Sequence, residues 1–133
     1  MKLATVGVYD LGSESVVLML RSGTGADFST RSGTPKDKAC IWVGADQEQW
    51  GAVVSSLLHE AKEFTEMRMG CRWTPDIDYA RDAAGYMFLE THAQHSEVCA
   101  RVGYFLSNCL PSLASVWNKW KKRCKADEKK KGQ

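Results

Sequence analysis

His59, Glu60 and Glu63 fall in the segment Leu57-Leu58-His59-Glu60-Ala61-Lys62-Glu63-Phe64. At about 100° per residue along a helix, His59 and Glu63 point within about 40° of one another, so an imidazole nitrogen and a carboxylate oxygen can share one cation. Catalytic zinc keeps three protein donors and an open position, often two histidines and a glutamate. His92 completes that set, with His95 as the competing third donor. Zinc lowers the pKa of a bound water to about 7, and a neighbouring carboxylate can take the proton as that water attacks a carbonyl. Glu60 projects about 100° from His59, out of the plane of the other donors, and holds the position for that base. Against this, His59, Lys62, Glu63 and Glu66 also fit a solvated helical face, and His92 and His95 fit a pair of hydrogen-bonded core histidines.

The donors need elements to position them. From Trp50 the apolar residues Val53, Val54, Leu57, Leu58, Ala61 and Phe64 recur at helical spacing, and Asp46 followed by Gln49 resembles a capping box, which predicts a first helix over roughly 47–69. Before it, Leu3–Asp10 and Ser15–Arg21 read as a hairpin and Ala39–Gly44 as a third strand. The glycine-rich stretch Ser22–Lys38 between them reads as an exposed connection. A second helix is expected over roughly 78–108, with Phe88, His92, His95, Cys99, Val102 and Leu106 as its inward stripe. Pro111 suits the first turn of a third helix, roughly 111–124, in which Leu113, Val116, Trp117 and Trp120 pack. The fold class is therefore α+β: a small antiparallel sheet, the donor-bearing helix and two further helices. One domain over 1–120 and a basic, flexible tail over 121–133 account for the chain.

With these elements in order, the chain resembles a minimal zincin metallopeptidase over roughly residues 38–107, the sharp part being His59-Glu60 and Glu63. It is also similar to small HExxE proteins carried by phages and prophages. The resemblance implies zinc on His59, Glu63 and His92, with Glu60 as proton acceptor in peptide or amide hydrolysis. It further implies that the strand before the helix, Ala39–Gly44, binds extended substrate through its backbone. The chain departs from the common motif at Glu63, a carboxylate where a second histidine usually stands.

Composition narrows the rest. The 133 residues are 44% hydrophobic and 26% charged, a globular balance. There is no run of about 18 apolar residues and no export signal. The five cysteines form an odd set without a CxxC pair, which argues against a disulfide framework and for a reducing cytoplasm. Cys99, one turn from His95, has nucleophile spacing but reads as an inert core thiol because it falls in the apolar stripe. The net charge of +2 hides eight Lys/Arg against two acids in residues 119–133. Such an end can touch nucleic acid, although a solvated terminus is the simpler reading. The function expected first is a metal-binding, zincin-like hydrolase. A non-enzymatic module binding a peptide or protein partner, with or without a structural metal, is expected second.

Overall fold

A computed structural model describes residues 2–30, 38–73 and 87–133. The elements are β1 (Leu3–Leu11), β2 (Glu14–Arg21), β3 (Ala26–Ser29), β4 (Ala39–Gly44), α1 (Trp50–Arg68), β5 (Arg72–Trp73), β6 (Met87–Phe88) and α2 (His92–Lys131). The α+β class holds, but the sheet is mixed and four-stranded, in the order β1-β2-β4-β3. β1 pairs antiparallel with β2 as a hairpin, β4 runs parallel to β2, and β3 closes the far edge antiparallel to β4. Two expectations are corrected here. The sheet is not purely antiparallel, and the stretch over 22–38 supplies a strand as well as a connection. Ala26–Ser29 alternates over only four residues within a Gly/Ser/Thr-rich stretch, too short a signal to read as a strand, and it pairs antiparallel with β4.

One face of the sheet carries the core. Val16, Leu18 and Leu20 of β2 and Ile41 and Val43 of β4 are fully buried together with Val53, Leu57, Ala61 and Phe64 of α1. The period-two and helical spacings thus meet as expected. Leu58, expected in the same run, is exposed, as it projects about 100° from Leu57 at the edge of the buried face. The expected capping box at Asp46 is absent. Gln49 is the N-cap without a side-chain bond, while Asp46 accepts from Gly23 N at 2.6 Å and Trp120 Nε1 at 3.0 Å. The capping box lies at Thr91 and Gln94, at the start of α2.

The second and third expected helices are one. α2 runs for 40 residues with Pro111 inside it. An interior proline removes one hydrogen bond and costs about 3 kcal/mol. Pro111 faces solvent, so the released carbonyl can take water, and the buried residues on either side, Cys109 and Leu113, hold the helix to the core. The inward face is Val98, Val102, Phe105, Cys109, Leu113, Trp117 and Trp120. His92, His95 and Cys99 are exposed, which corrects the expected stripe. Spacing back from Val102 fits residue 98 as well as 99, and only continuity across Pro111 to the tryptophans selects the phase. Residues 87–88 are strand, and the rest of the expected helix before them lies outside the described residues. Residues 121–131 continue α2 as its exposed end, with Lys121 Nζ donating to Glu48 O at 3.1 Å. Trp117 and Trp120 pack as expected, and their indole N–H groups donate to Ala45 O and to Asp46, each at 3.0 Å.

Among the five free thiols, burial pushes Cys109 up from 9.0 to about 12. The folded value lies above the unfolded one, so this thiol's contribution is fully present below pH 9 and is lost as pH rises toward 12. We expect unfolding by urea at pH 10.5 to reveal a loss on the order of 1–2 kcal/mol relative to pH 8 that Cys109→Ala does not show.

Candidate metal centre

α1 is buried along more than one stripe, which explains how three ionisable residues come together on it. Glu60 is buried on the side where α1 packs on β3, and Glu63 follows one turn later. Their side chains retain 11% and 14% of their exposure, whereas His59 keeps 71% and closes the group from the solvent side. His59 Nε2 lies 3.4 Å from Glu63 Oε2 and 3.9 Å from Glu60 Oε1. One donor atom from each residue falls within 4.8 Å of the others, and this is the one such His/Cys/Asp/Glu group among the described residues.

The surroundings place charge unevenly. Burial, the largest cause, raises the Glu60 carboxyl above its ordinary value; Glu63 and Asp27 raise it further, while His59 and Arg21 pull it down. Arg72, arriving on β5, donates from Nη1 to Glu63 Oε1 at 3.0 Å and lies over the Phe28 ring at 5.5 Å, so Glu63 is held from behind with its other oxygen toward His59. A cleft of about 500 Å³ opens between β3 and α1, bounded by Asp27, Phe28, Glu60, Glu63 and Arg72. A second recess of about 350 Å³ lies between Gly25–Ala26 and Ser55, Ser56, His59 and Glu60. Glu60 lines both. The small Ser55 and Ser56 side chains leave room beside the donors, and the β2–β3 turn borders it.

The expected donors divide. His59, Glu60 and Glu63 are together; His92 is the first residue of α2, exposed, and outside the group. Leu89 N donates to Cys71 O and Cys71 N to Glu66 O, which docks the start of α2 beside the end of α1, beyond the turn that bears His59. The substrate-strand role expected for Ala39–Gly44 is also corrected: β4 is hydrogen-bonded on both sides, and the sheet edge next to the donors belongs to β3. Sequence reading missed Arg72 and Asp27. Arg72 stands four residues past the end of α1 with no periodic signal, and Asp27 stood in an expected connection.

Neither the family models, the curated proteins nor the solved structures compared with this chain gave a match.

Proposed function

We propose that the chain binds one divalent cation through His59, Glu60 and Glu63, and that hydrolysis of a peptide or amide bond is the reaction this ion serves. The observation that carries the reading is the pair of distances around His59 Nε2, 3.4 and 3.9 Å to two largely buried carboxylates. Donors on a tetrahedral ion with bonds of about 2.1 Å lie about 3.4 Å apart, so small side-chain adjustments suffice. Two carboxylates and one imidazole form a harder set than two histidines and one glutamate, which brings manganese into competition with zinc. When bound, the ion supplies a Lewis acid that polarises a carbonyl or acyl oxygen.

The chain's own residues do the rest. Arg72 fixes Glu63 and offsets part of the negative charge that would otherwise accumulate before an ion arrives. Glu60, in the place expected for His92, serves as third donor, and burial, which raises its proton affinity, makes ion and proton compete for it. The cleft beside it is walled by Phe28 and floored by Asp27, Glu60 and Glu63, and it suits a substrate segment lying along β3.

The test is calorimetric titration of tag-free protein with zinc and with manganese. One ion per chain is expected, with affinity reduced on the order of 100-fold by His59→Ala. Glu60→Gln separates two roles: as a ligand its loss weakens binding, and as a base it leaves binding intact while abolishing turnover. No uptake of either metal, or uptake indifferent to His59→Ala, sinks the proposal. Stoichiometric metal without Glu60-dependent hydrolysis of a broad peptide library favours the interaction module instead. That second reading has its own support in the helix-free face of the sheet, where Leu3 and Val8 are 52% and 50% exposed.

A further inference from the structure

A second set of side chains lies at the start of α2, away from the metal group. Glu90 Oε1 is 3.1 Å from His95 Nδ1, and His95 Nε2 is 3.7 Å from Cys99 Sγ. Both ring nitrogens are thus engaged. A carboxylate on Nδ1 holds the proton there and leaves the Nε2 lone pair facing the thiol. We propose that Cys99, His95 and Glu90 act as nucleophile, proton acceptor and orienting carboxylate of a thiol site that accepts acyl groups from thioesters.

Three features of the fold support this assignment. Cys99 is exposed, whereas Cys40, Cys71 and Cys109 are buried, so the thiol beside the imidazole is also one that a substrate can reach. Glu90 keeps 15% of its side-chain exposure, and its Oε2 is buried without a hydrogen-bond partner among the described residues. This carboxylate keeps the Nδ1 edge of the ring toward Glu90 and the Nε2 edge toward Cys99. The segment is also held in place. Thr91 and Gln94 form a reciprocal capping box with bonds of 2.8 and 3.2 Å, and Leu89 N donates to Cys71 O at 2.9 Å, so Glu90 is fixed from both sides.

The step balances without an oxidant. The Cys99 thiol proton passes to His95 Nε2 as Sγ attacks the acyl carbonyl carbon. The new Sγ–C bond forms, the C–S bond of the donor thioester breaks, and His95 returns the proton to the departing thiolate. The products are S-acylated Cys99 and a free thiol. Glu90 does not touch the reacting atoms and is a positioning residue.

The probe is the acetyl thioester of N-acetylcysteamine with the full chain, the acetylated site being read by peptide mass spectrometry. Cys99 is expected to react first and well ahead of the half-buried Cys124. His95→Gln slows acetylation at Cys99 on the order of 100-fold, and Glu90→Gln slows it by a smaller factor that Glu90→Asp partly restores. Free imidazole returns part of the rate to His95→Gly, an effect that a purely structural role would not produce. The rate at Cys124 and the melting curve serve as folding controls, and the ratio of Cys99 to Cys124 in the unsubstituted chain decides the matter if a variant does not fold. Equal rates at the two cysteines, or a Cys99 rate indifferent to His95→Gln, overturn the proposal. So does complete protection of Cys99 by one equivalent of zinc, which would make His95 and Cys99 ligands.

Discussion

Gly44→Ala is expected to be the most damaging glycine substitution among the described residues, lowering stability by about 3 kcal/mol and the melting temperature by about 10 °C. A Cβ at this position would meet Gly23 O at 2.5 Å and the Thr24 Cα and carbonyl carbon at 2.6 Å. These are backbone atoms and cannot rotate away. The turn they belong to is tied down on several sides: Gly44 N donates to Gly25 O at 2.7 Å, Asp46 N to Gly23 O at 3.0 Å, and Gly23 N to the Asp46 carboxylate. Gly23 and Gly25 have φ of 101° and 75°, a region that other residues reach only under strain. Because this turn feeds β3, its displacement should also loosen the cleft beside Glu60. Thermal unfolding followed by circular dichroism is the check, and a change in melting temperature of less than about 3 °C would show that the turn moves freely.

Phe64→Ala is expected to cost about 3–5 kcal/mol, since a large buried ring leaves a cavity that its neighbours fill only in part. Phe64 is 1% exposed, meets Phe28 edge-to-face at 5.5 Å, and lies beneath the Arg68 guanidinium at 5.2 Å. The same Phe28 carries Arg72 on its ring, and Arg72 holds Glu63. The substitution therefore reaches the donor group through packing alone. Urea unfolding should register the loss of stability, and metal titration at a temperature where the variant remains folded should register weaker binding. Phe64→Leu, which retains most of the volume, should recover most of both. Stability loss with unchanged metal affinity would separate the core from the site and contradict the link through Phe28.

How much of this was legible beforehand depended on the range of the interaction involved. Val16, Leu18 and Leu20 alternate within one strand, and Val53, Leu57, Ala61 and Phe64 recur within one helix, so each buried face is a property of a short segment. The parallel pairing of β2 with β4 and the insertion of β4 between β2 and β3 have no such signature. Pattern alone permits either direction for a strand, and what selects it is which pairing edges the folded chain offers to β4.

The donor group shows the same division. That His59 and Glu63 can share a cation was decided by the sequence, because residues four apart on a helix are neighbours wherever the helix sits. That Glu60 joins them was decided by tertiary structure, which buries it on the side of α1 facing β3 and brings Asp27 and Arg72 around it. The placement of His92 and Cys99 depended on tertiary structure too. Local spacing allowed either face of α2, and the distant anchors Trp117 and Trp120, seated on Ala45 and Asp46, turned both residues outward. The physical reason is the same in each case. Periodicity and i,i+4 proximity are set by backbone geometry that every residue of a segment shares, whereas strand direction, helix phase across a proline and the neighbours of a buried carboxylate are set by which burial arrangement the whole chain can satisfy at once.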